Sequence, residues 1–262
     1  MKITILGARG SVPTDGKNML EFGGATSCVL VETDDTALYL DAGTGIMSAP
    51  DLGDKNISIV LTHPHIDHMI GLPFFPALSK SGRRIDIYGS PRMGYTTKTQ
   101  LERLLSPPLW PLFITDYPAD TVIHDIDGDF NIGDIGIKSM ESNHPGGGLV
   151  LRVEHGEKSV VLATDFEHDG EHIKMLTEFA KDTDLLLYDA QYTDEEYEHF
   201  RGYGHSTPSV GLELMKESGA KSIRFMHHDP RHTDKILKMM EEKIKTETET
   251  VSFAREGEEI LL

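Results

Sequence analysis

The stretch His63-Pro64-His65-Ile66-Asp67-His68 is the most informative part of this chain. It places three imidazoles and a carboxylate within six positions, directly after the apolar run Ile57-Ser58-Ile59-Val60-Leu61. That run is short, rich in β-branched residues and bounded by polar residues, which predicts a buried β-strand. Because side chains alternate along an extended backbone, His63 and His65 direct their imidazoles to the same side.

This histidine motif predicts two adjacent metal positions. Asp67 and His68 lie at the expected turn into a helix, displaced from His63 and His65, so each pair would serve its own metal. Imidazole nitrogens together with carboxylate oxygens suit zinc, manganese or iron, whereas calcium requires oxygen ligands alone. The alternative is a polar surface turn that is merely rich in histidine. The spacing, the position after a strand and the residue types all argue against that alternative.

The length and charge of the chain restrict its function. Its 262 residues are enough for one large α/β domain or two small ones, and its formal net charge is −18. Binding the phosphates of a long nucleic acid requires a surface of lysine and arginine, but the longest basic cluster is Gly82-Arg83-Arg84. We therefore expect a small substrate, drawn in by the metals, and no affinity for duplex DNA.

The cellular location is also constrained by composition. No stretch approaches the roughly 20 apolar residues of a membrane span, so no membrane partner is expected. The run Met1-Lys2-Ile3-Thr4-Ile5-Leu6-Gly7 is too short for a signal peptide and predicts a first strand. The single cysteine, Cys28, cannot form an intramolecular disulfide and is expected in the core. These features favour a cytoplasmic location.

Strand-like and helix-like segments alternate along the chain without a low-complexity linker. The predicted hairpins and strands cover residues 28–40, 149–164, 184–188 and 223–226. The predicted helices begin near Asp67, near residue 171 and at Pro208, the last with Thr207 as its cap. A layered sandwich with sheets inside and helices outside would bury the apolar faces of these segments.

Two further segments have structural interpretations. Asp41-Ala42-Gly43-Thr44-Gly45 predicts a glycine turn that is closed by the aspartate side chain. The prolines of residues 104–118 exclude a regular helix or a central strand, and this segment carries the single tryptophan, Trp110. A lid or wall over a pocket, a contact in a homodimer and a packed surface loop are equally open interpretations of it.

Four more polar residues follow predicted strands, as the histidine motif does. They are His144, Asp165, Asp189 and His227. Taken alone, each could be a helix-capping aspartate or a solvated histidine. Polar residues at strand ends in open α/β folds gather along one edge of the sheet, where sites are usually built. Together with the histidine motif, they complete two coordination shells.

The combination of the histidine motif with His144, Asp165 and a late histidine resembles the metallo-β-lactamase superfamily of dinuclear metal hydrolases. The resemblance extends from Asp41-Ala42-Gly43 to His227. It implies an α/β fold, an αβ/βα four-layer sandwich whose two pseudo-symmetric halves form a single domain over residues 1–262. The implied cofactors are two divalent transition-metal ions, zinc or else manganese or iron. The implied ligands are His63, His65 and His144 for one metal, Asp67, His68 and the late histidine for the other, and Asp165 as the bridge.

A second set of motifs is similar to the phosphodiesterase branch of that superfamily, which includes ribonuclease Z and the cyclic-nucleotide phosphodiesterases. Gly204-His205-Ser206-Thr207 follows Asp189-Ala190-Gln191-Tyr192-Thr193, and His227-His228-Asp229-Pro230-Arg231 comes later. By this resemblance His205 donates a proton or hydrogen bond to the phosphate or leaving oxygen, and Asp189 orients it. His227 rather than His228 is the implied ligand, although a shift of one residue would exchange them. The alternative for His205 is a residue that merely precedes a helix cap.

Departures from the family narrow the expected substrate. The segment between Gly71 and His144 lacks the glycine-rich and lysine-rich arm with which ribonuclease Z grips tRNA, and Asp165 stands where true β-lactamases often have cysteine. We expect a phosphodiesterase acting on a small (cyclic) nucleotide or a similar ester, with Asp67, His205 and Asp189 as catalytic residues. A hydroxide bridging the two metals would attack phosphorus. A nuclease of the tRNA-processing type and a metal-loaded ligand sensor without turnover remain as alternatives.

Overall fold

Two seven-stranded mixed sheets form the centre of the computed structural model, which describes residues 1–244 and 250–262. The first sheet contains β1 (Lys2–Gly7), β2 (Cys28–Glu32), β3 (Thr36–Leu40), β4 (Asn56–Val60), β5 (Arg84–Gly89), β6 (Asp120–Asp125) and β14 (Glu259–Leu261). The second contains β7 (Phe130–Ile132), β8 (Ile135–Ser142), β9 (Gly148–His155), β10 (Lys158–Ala163), β11 (Leu185–Asp189), β12 (Ile223–Met226) and β13 (Val251–Phe253). The strand orders are β14-β1-β2-β3-β4-β5-β6 and β13-β12-β11-β10-β9-β8-β7.

Both sheets repeat one pattern of strand directions. In the first sheet, the strands from β14 through β1 and β2 to β3 are antiparallel, and those from β3 to β6 are parallel. In the second sheet, β7 to β10 are antiparallel and β10 to β13 are parallel. Strands such as β3 and β11 are buried along their whole length because both faces of each sheet are covered. The two halves are therefore built in the same way.

Five α-helices are present in the described residues. They are α1 (Thr97–Leu104), α2 (His172–Phe179), α3 (Asp194–Phe200), α4 (Pro208–Ser218) and α5 (Asp234–Ile244). As predicted, Pro208 occupies the first turn of α4 and Thr207 its N-cap position, but the Thr207 hydroxyl contacts Ser209 and caps no backbone N–H. Gly219 ends this helix with a left-handed backbone, which glycine adopts without strain. None of the described helices has the length and apolar composition to cross a bilayer.

Three apolar clusters separate four layers. The cluster between the sheets includes Ile5 and Leu38 from the first sheet and Leu162 and Leu187 from the second. The outer face of the first sheet packs against α1 and several short 3-10 helices. The outer face of the second sheet packs against α2, α4 and α5. The predicted α/β four-layer αβ/βα sandwich is therefore confirmed.

The helix predicted from Asp67 is wrong in type and length. Residues Ile66–His68 form a 3-10 helix of three residues, and further 3-10 helices follow at Leu72–Phe74 and Pro76–Ser79. Pro73 and Pro76 lack the N–H that an α-helix interior needs. Gly71 also lies so close to the backbone of Gly43 that a Cβ would be 2.0 Å from its carbonyl oxygen. The short turn leaves Asp67 and His68 at the strand end instead of carrying them away along a helix.

The proline-rich segment packs against the outer face of the first sheet. Leu105 and Ile114 are buried there, and Trp110 and Tyr117 pack against the same cluster. Trp110 donates its indole N–H to the Tyr117 hydroxyl at 3.0 Å. These contacts are those of a packed surface loop, and the contact in a homodimer stays a prediction. Leu104, at its beginning, also lines a cavity.

The core between the sheets gives a first prediction. Leu38 is fully buried in β3, so Leu38→Ala should lower the free energy of unfolding by about 2–5 kcal/mol, through lost burial and the cavity left behind. Leu261→Ala in β14 is the matched control, because this leucine is 83% exposed, and its effect should stay within about 0.5 kcal/mol. Urea unfolding followed by circular dichroism measures both. Equal effects of the two substitutions would contradict the assignment of this core.

Candidate metal centre

The residues predicted as ligands meet at one edge of the two sheets. They come from the loop after β4, the loop after β8, and the ends of β10 and β12. Two groups form, each with ligand atoms within 4.8 Å of one another: His63, His65, His144 and Asp165 in one, and Asp67, His68 and His227 in the other. All seven predicted residues are thus brought together from parts of the chain up to 164 positions apart.

The first group contains three imidazoles and one carboxylate oxygen. His144 Nε2 lies 3.0 Å from His65 Nδ1. Oδ1 of Asp165 lies 3.6 Å from His144 Nε2 and 3.8 Å from His63 Nε2. These separations leave the nitrogens and the oxygen around one common point, as four ligands of a tetrahedral metal site would be.

The second group shares the same carboxylate. Asp67 Oδ2 lies 3.3 Å from His68 Nε2 and 3.2 Å from His227 Nε2. The other oxygen of Asp165, Oδ2, lies 3.1 Å from His68 Nε2 and 3.3 Å from His227 Nε2. Asp165 therefore presents one oxygen to each group, which is the arrangement of a bridging ligand.

The donor atoms of the two groups fit bound transition metals. His63 Nε2, His68 Nε2 and Asp165 Oδ2 are buried and have no hydrogen-bond partner among the described residues. The 3.1 Å contact between His68 and Asp165 lacks the geometry of a hydrogen bond. Buried polar atoms without partners are costly, and a cation coordinated by them removes that cost. Imidazole nitrogen with carboxylate oxygen is the ligand chemistry of zinc, manganese or iron.

The second nitrogen of four imidazoles is held by a neighbouring polar group. The pairs are His63 Nδ1 with Thr62 Oγ1 at 3.0 Å, His68 Nδ1 with Asp41 Oδ2 at 2.8 Å, His144 Nδ1 with Gly204 O at 3.0 Å and His227 Nδ1 with Gln191 Oε1 at 2.8 Å. An N–H donated at Nδ1 leaves Nε2 unprotonated and facing the centre. These partners therefore select the tautomer that can bind metal.

The prediction that Asp41 closes a glycine turn is wrong. Instead of closing the glycine turn, its carboxylate accepts hydrogen bonds from the backbone N–H of Thr62 at 2.7 Å and from its hydroxyl at 3.0 Å. It also accepts from His68 Nδ1. Asp41 is buried, so these bonds replace those that water would make. It orients a member of the histidine motif.

Backbone strain is concentrated around this edge. Six non-glycine residues of the described chain have a left-handed backbone, and four of them contribute to the site or flank it. These four are Ser11, Asp41, Asp165 and His227, with φ of 63°, 64°, 54° and 60°. Such conformations cost about 1–3 kcal/mol each and persist where the surroundings enforce them. At Asp165 and His227 the turn out of the strand directs the side chain into the centre.

Asp189 and His205 lie directly beside the two groups. Asp189, the last residue of β11, accepts from His205 Nδ1 at 2.9 Å and from the backbone N–H groups of Ser206 and Asp165 at 3.0 and 2.9 Å. The ring of His205 stacks on that of His227 with centroids 4.8 Å apart. His205 could itself join Asp165 and His227 around a cation. Its contact with Asp189 is as the sequence predicted, whereas its separation from the ligands remains a prediction.

The structure separates the two late histidines. Nε2 of His227 reaches both carboxylates of the second group, whereas Nε2 of His228 lies 2.9 Å from the carbonyl oxygen of Ala254. Burial lowers the pKa of His228 to about 3, so it is a neutral core residue. Burial also lowers the pKa of His227, but the charge of Asp165 and the hydrogen bond with Asp67 outweigh burial and raise that pKa to about 9. A proton therefore competes with a cation for Nε2 of His227.

The carboxylate of Asp67 is prepared for a cation. Burial would raise its pKa, but the imidazoles of His68 and His227 hold the pKa of Asp67 well below its usual range. The backbone N–H of Ser11 donates to Oδ2 of Asp67 at 2.8 Å. Burial lowers the pKa of His63, so that imidazole is neutral at pH 7. The site thus holds an anionic oxygen and a neutral nitrogen, as metal ligation requires.

Glu167 makes contacts near the site that the sequence does not predict. Its carboxylate accepts from the backbone N–H groups of Gly202 at 2.6 Å and Gly204 at 2.9 Å, and its own N–H donates to the carbonyl of Asn143 at 2.9 Å. Glu167 thereby joins the residue before His144 to the loop before His205. In an acidic chain, a glutamate that joins two loops has the same sequence pattern as one that is solvated.

Comparisons with known proteins agree with this geometry. A family model described as the beta-lactamase superfamily domain matches residues 36–228. Ribonuclease Z from Methanosarcina acetivorans is 24% identical over 297 positions, covering 94% of this chain and 93% of that protein. Ribonuclease Z from Haloarcula marismortui is 22% identical over 312 positions, covering 99% and 96%.

Solved structures share the fold. The metallo-beta-lactamase fold protein YhfI from Bacillus subtilis has a TM-score of 0.73 at 19% identity, covering 99% of this chain and 98% of that one. A diphosphatase from the PhnP family has a TM-score of 0.69 at 17% identity, covering 100% and 97%. At these identities the structural matches establish the fold alone.

Metal content tests the ligand set. The wild-type protein should bind close to two transition-metal ions per chain, because seven ligands are too many for one tetrahedral site. His227→Ala should lower this content to about one ion or less. His228→Gln, which keeps a side-chain donor for Ala254, should retain both ions. Elemental analysis after reconstitution with zinc measures all three proteins, and a loss of metal in His228→Gln with retention in His227→Ala would reverse the assignment.

Proposed function

The chain belongs to the β-lactamase superfamily and is a metal-dependent hydrolase, and we propose that it hydrolyses phosphodiesters, with a compact, nucleotide-sized ester as its substrate. The observation that carries this proposal is the pair of Asp189 and His205 beside the two ligand groups. A buried imidazole next to two metal positions can donate a proton to the departing oxygen of a phosphodiester. Without that proton the oxygen leaves as an alkoxide.

The proposed ligand assignment follows the geometry of the two groups. His63, His65 and His144 would hold one ion, Asp67, His68 and His227 the other, and Asp165 would bridge them. Metal ions bound here would supply Lewis acidity and lower the pKa of bound water towards 7. Zinc is the ion that we propose first, since the donor set suits it. We also propose that residues 1–262 form a single domain, because one apolar cluster joins the two sheets.

His205 and Asp189 have complementary roles in this proposal. Asp189 accepts the N–H of His205 Nδ1, which fixes the tautomer and the orientation of the imidazole. Nε2 of His205 then holds the proton that passes to the leaving alkoxide. Ser206 and Gln191 donate backbone N–H groups to Asp189 at 3.0 and 3.1 Å, so the carboxylate cannot rotate away from His205. Asp67 contributes as a ligand that Ser11 holds in place.

The size and charge of the substrate follow from the chain as a whole. A net charge of −18 repels a long polyanion, whereas a compact ester needs only local positive charge. The aligned length with Haloarcula marismortui ribonuclease Z is 312 positions against 262 residues here, so at least 50 residues of that relative have no counterpart. Between Gly71 and His144 this chain forms 3-10 helices, α1 and strands β5 to β8. These observations favour a small substrate.

RNA is the second candidate, because the curated relatives named above are ribonucleases Z. A cavity of about 690 Å³ also gathers Lys17, Lys235, Lys238 and Lys243. Three of the four, Lys235, Lys238 and Lys243, lie on α5, and the acidic residues Asp234 and Glu242 line the same cavity. One of the four, Lys238, is paired with Glu21. Such a patch could bind the phosphates of an RNA chain.

The role of His205 can be separated from that of the ligands. His205→Ala should lower kcat by roughly 10²–10⁴-fold, the usual contribution of a general acid, and should keep both metal ions. His172→Ala is the matched control, since the His172 side chain is 36% exposed and pairs only with Asp169 among the described residues. Steady-state kinetics and elemental analysis are measured on the same preparations. A loss of metal in His205→Ala would place His205 among the ligands instead.

The substrate class is tested with a panel of esters. The zinc-loaded protein should cleave an aryl phosphodiester and a cyclic nucleotide faster than an aryl phosphomonoester, a thioester or a cephalosporin. Exclusive cleavage of the thioester or the cephalosporin would refute the phosphodiesterase proposal. Preferred cleavage of an RNA oligonucleotide, with an affinity that falls steeply as salt rises, would establish the second candidate instead. Ligand binding without turnover of any ester would indicate a sensory protein.

A further inference from the structure

A cavity of about 400 Å³ adjoins the first ligand group. His65 forms part of its wall, together with Met69, Leu104 and the two arginines Arg92 and Arg103. None of the residues that line it is acidic. This is unusual for a chain with 43 acidic and 25 basic residues, so the cavity is a positive region beside the metal centre.

Arg92 has hydrogen-bonding capacity that the protein does not use. Its Nη1 donates to Glu141 at 2.5 Å, but Nε and Nη2 are buried and have no hydrogen-bond partner in the part of the chain that the structure describes. Nε and Nη2 form one edge of the guanidinium, which matches two oxygens of a phosphate or carboxylate. The side chain of Glu141 is 64% exposed and that of Arg92 12%, so this ion pair lies at the boundary between the protein and the solvent. The Nε–Nη2 edge can therefore bind an anion while Nη1 keeps its contact with Glu141.

The wall that carries the arginines is well ordered by its own contacts. Arg92 and Tyr95 exchange backbone hydrogen bonds of 2.9 and 2.8 Å, and Gln100 donates to the carbonyl of Tyr95 at 2.9 Å. Arg103 stacks over the ring of Tyr95 at 4.0 Å from its centroid. Arg92 lies on this turn, and Arg103, from α1, packs over the ring of Tyr95 at the end of the same turn, so both guanidinium groups are positioned before an anion binds.

The turn lies close to a metal ligand. A Cβ on Gly146 would be 3.6 Å from His65 Nε2, and a Cβ on the next residue, Gly147, would be 2.7 Å from Arg92 Nη1. His65 and Arg92 thus pack against consecutive residues of one loop. A single nucleotide can therefore place one phosphate at the metal centre and another at Arg92.

We propose that this cavity is a subsite for the non-reacting part of an anionic ester. Arg92 and Arg103 bind a second phosphate of the substrate, and Met69 and Leu104 pack against the ring that links it to the scissile diester. The inference rests on the proposed phosphodiesterase function and specifies its substrate class, a nucleotide with a phosphate beyond the one that is cleaved. The same cavity discriminates against esters of equal size that lack the second charge.

The test compares two esters that differ only in the second phosphate. Thymidine 5′-(p-nitrophenyl phosphate) and its 3′-phosphorylated form carry the same leaving group. For the wild-type protein the 3′-phosphate should lower KM by roughly 10–100-fold, the worth of hydrogen bonds to a charged group. In Arg92→Ala this advantage should fall to about 3-fold or less, with Arg92→Lys between the two. Arg84→Ala should keep the wild-type ratio, because Arg84 is exposed and pairs with Asp86.

Binding without turnover separates this inference from the proposed function. Calorimetry with thymidine 3′,5′-bisphosphate should show at least 10-fold weaker binding to Arg92→Ala than to the wild type. If both esters are cleaved with equal KM by the wild type, the subsite is refuted and the phosphodiesterase proposal stands. If neither ester is cleaved but the bisphosphate binds in an Arg92-dependent way, the subsite stands and the proposed activity fails. Circular dichroism and thermal unfolding establish that each variant is folded.

Discussion

Both sheets place imidazoles around the buried carboxylate of Asp165. It is 3% exposed, and removing a carboxylate from water costs several kcal/mol unless positive charge and hydrogen bonds compensate. Its two oxygens face four imidazoles, of which His63 and His68 follow the first sheet and His144 and His227 follow the second. The sheets must therefore end at the same edge. The apolar cluster between them fixes that relation, so packing far from the centre determines its geometry.

Much of the fold and most of the centre could be predicted from the sequence, for physical reasons. The spacing of the histidine motif determines which imidazoles share a side, and the predicted strands before His144, Asp165 and His227 place each at a strand end. What failed depends on contacts between distant segments. Asp41 and His68 are 27 positions apart, and an aspartate in a glycine turn has the same local pattern whether it caps the turn or accepts from a histidine. Pro73 and Pro76, which disfavour an α-helix after Asp67, are by contrast visible in the sequence itself.

Charge is distributed unevenly over the molecule. Most of the surface is acidic, whereas basic side chains gather at two cavities, one beside His65 and one around Lys238. Neither cluster is a continuous basic run in the sequence, because three of the lysines are spaced along α5 and the two arginines come from a turn and from α1. An acidic exterior with local basic cavities favours ligands whose charge is compact over those whose charge is extended. Under the proposed function, this distribution of charge favours a compact phosphodiester over a long polyanion.

The pairing of β14 with β1 has a consequence for biosynthesis. Lys2 lies opposite Leu261 in this pair, so the two strands are separated by almost the whole chain. The ribosome releases residues in order, and a strand near the beginning must wait for its neighbour until residue 261 has been made. Pairings of such long range also slow folding, because loop closure precedes the stabilising contacts. We expect β1 to lack its β14 neighbour until residues 259–261 have been synthesised.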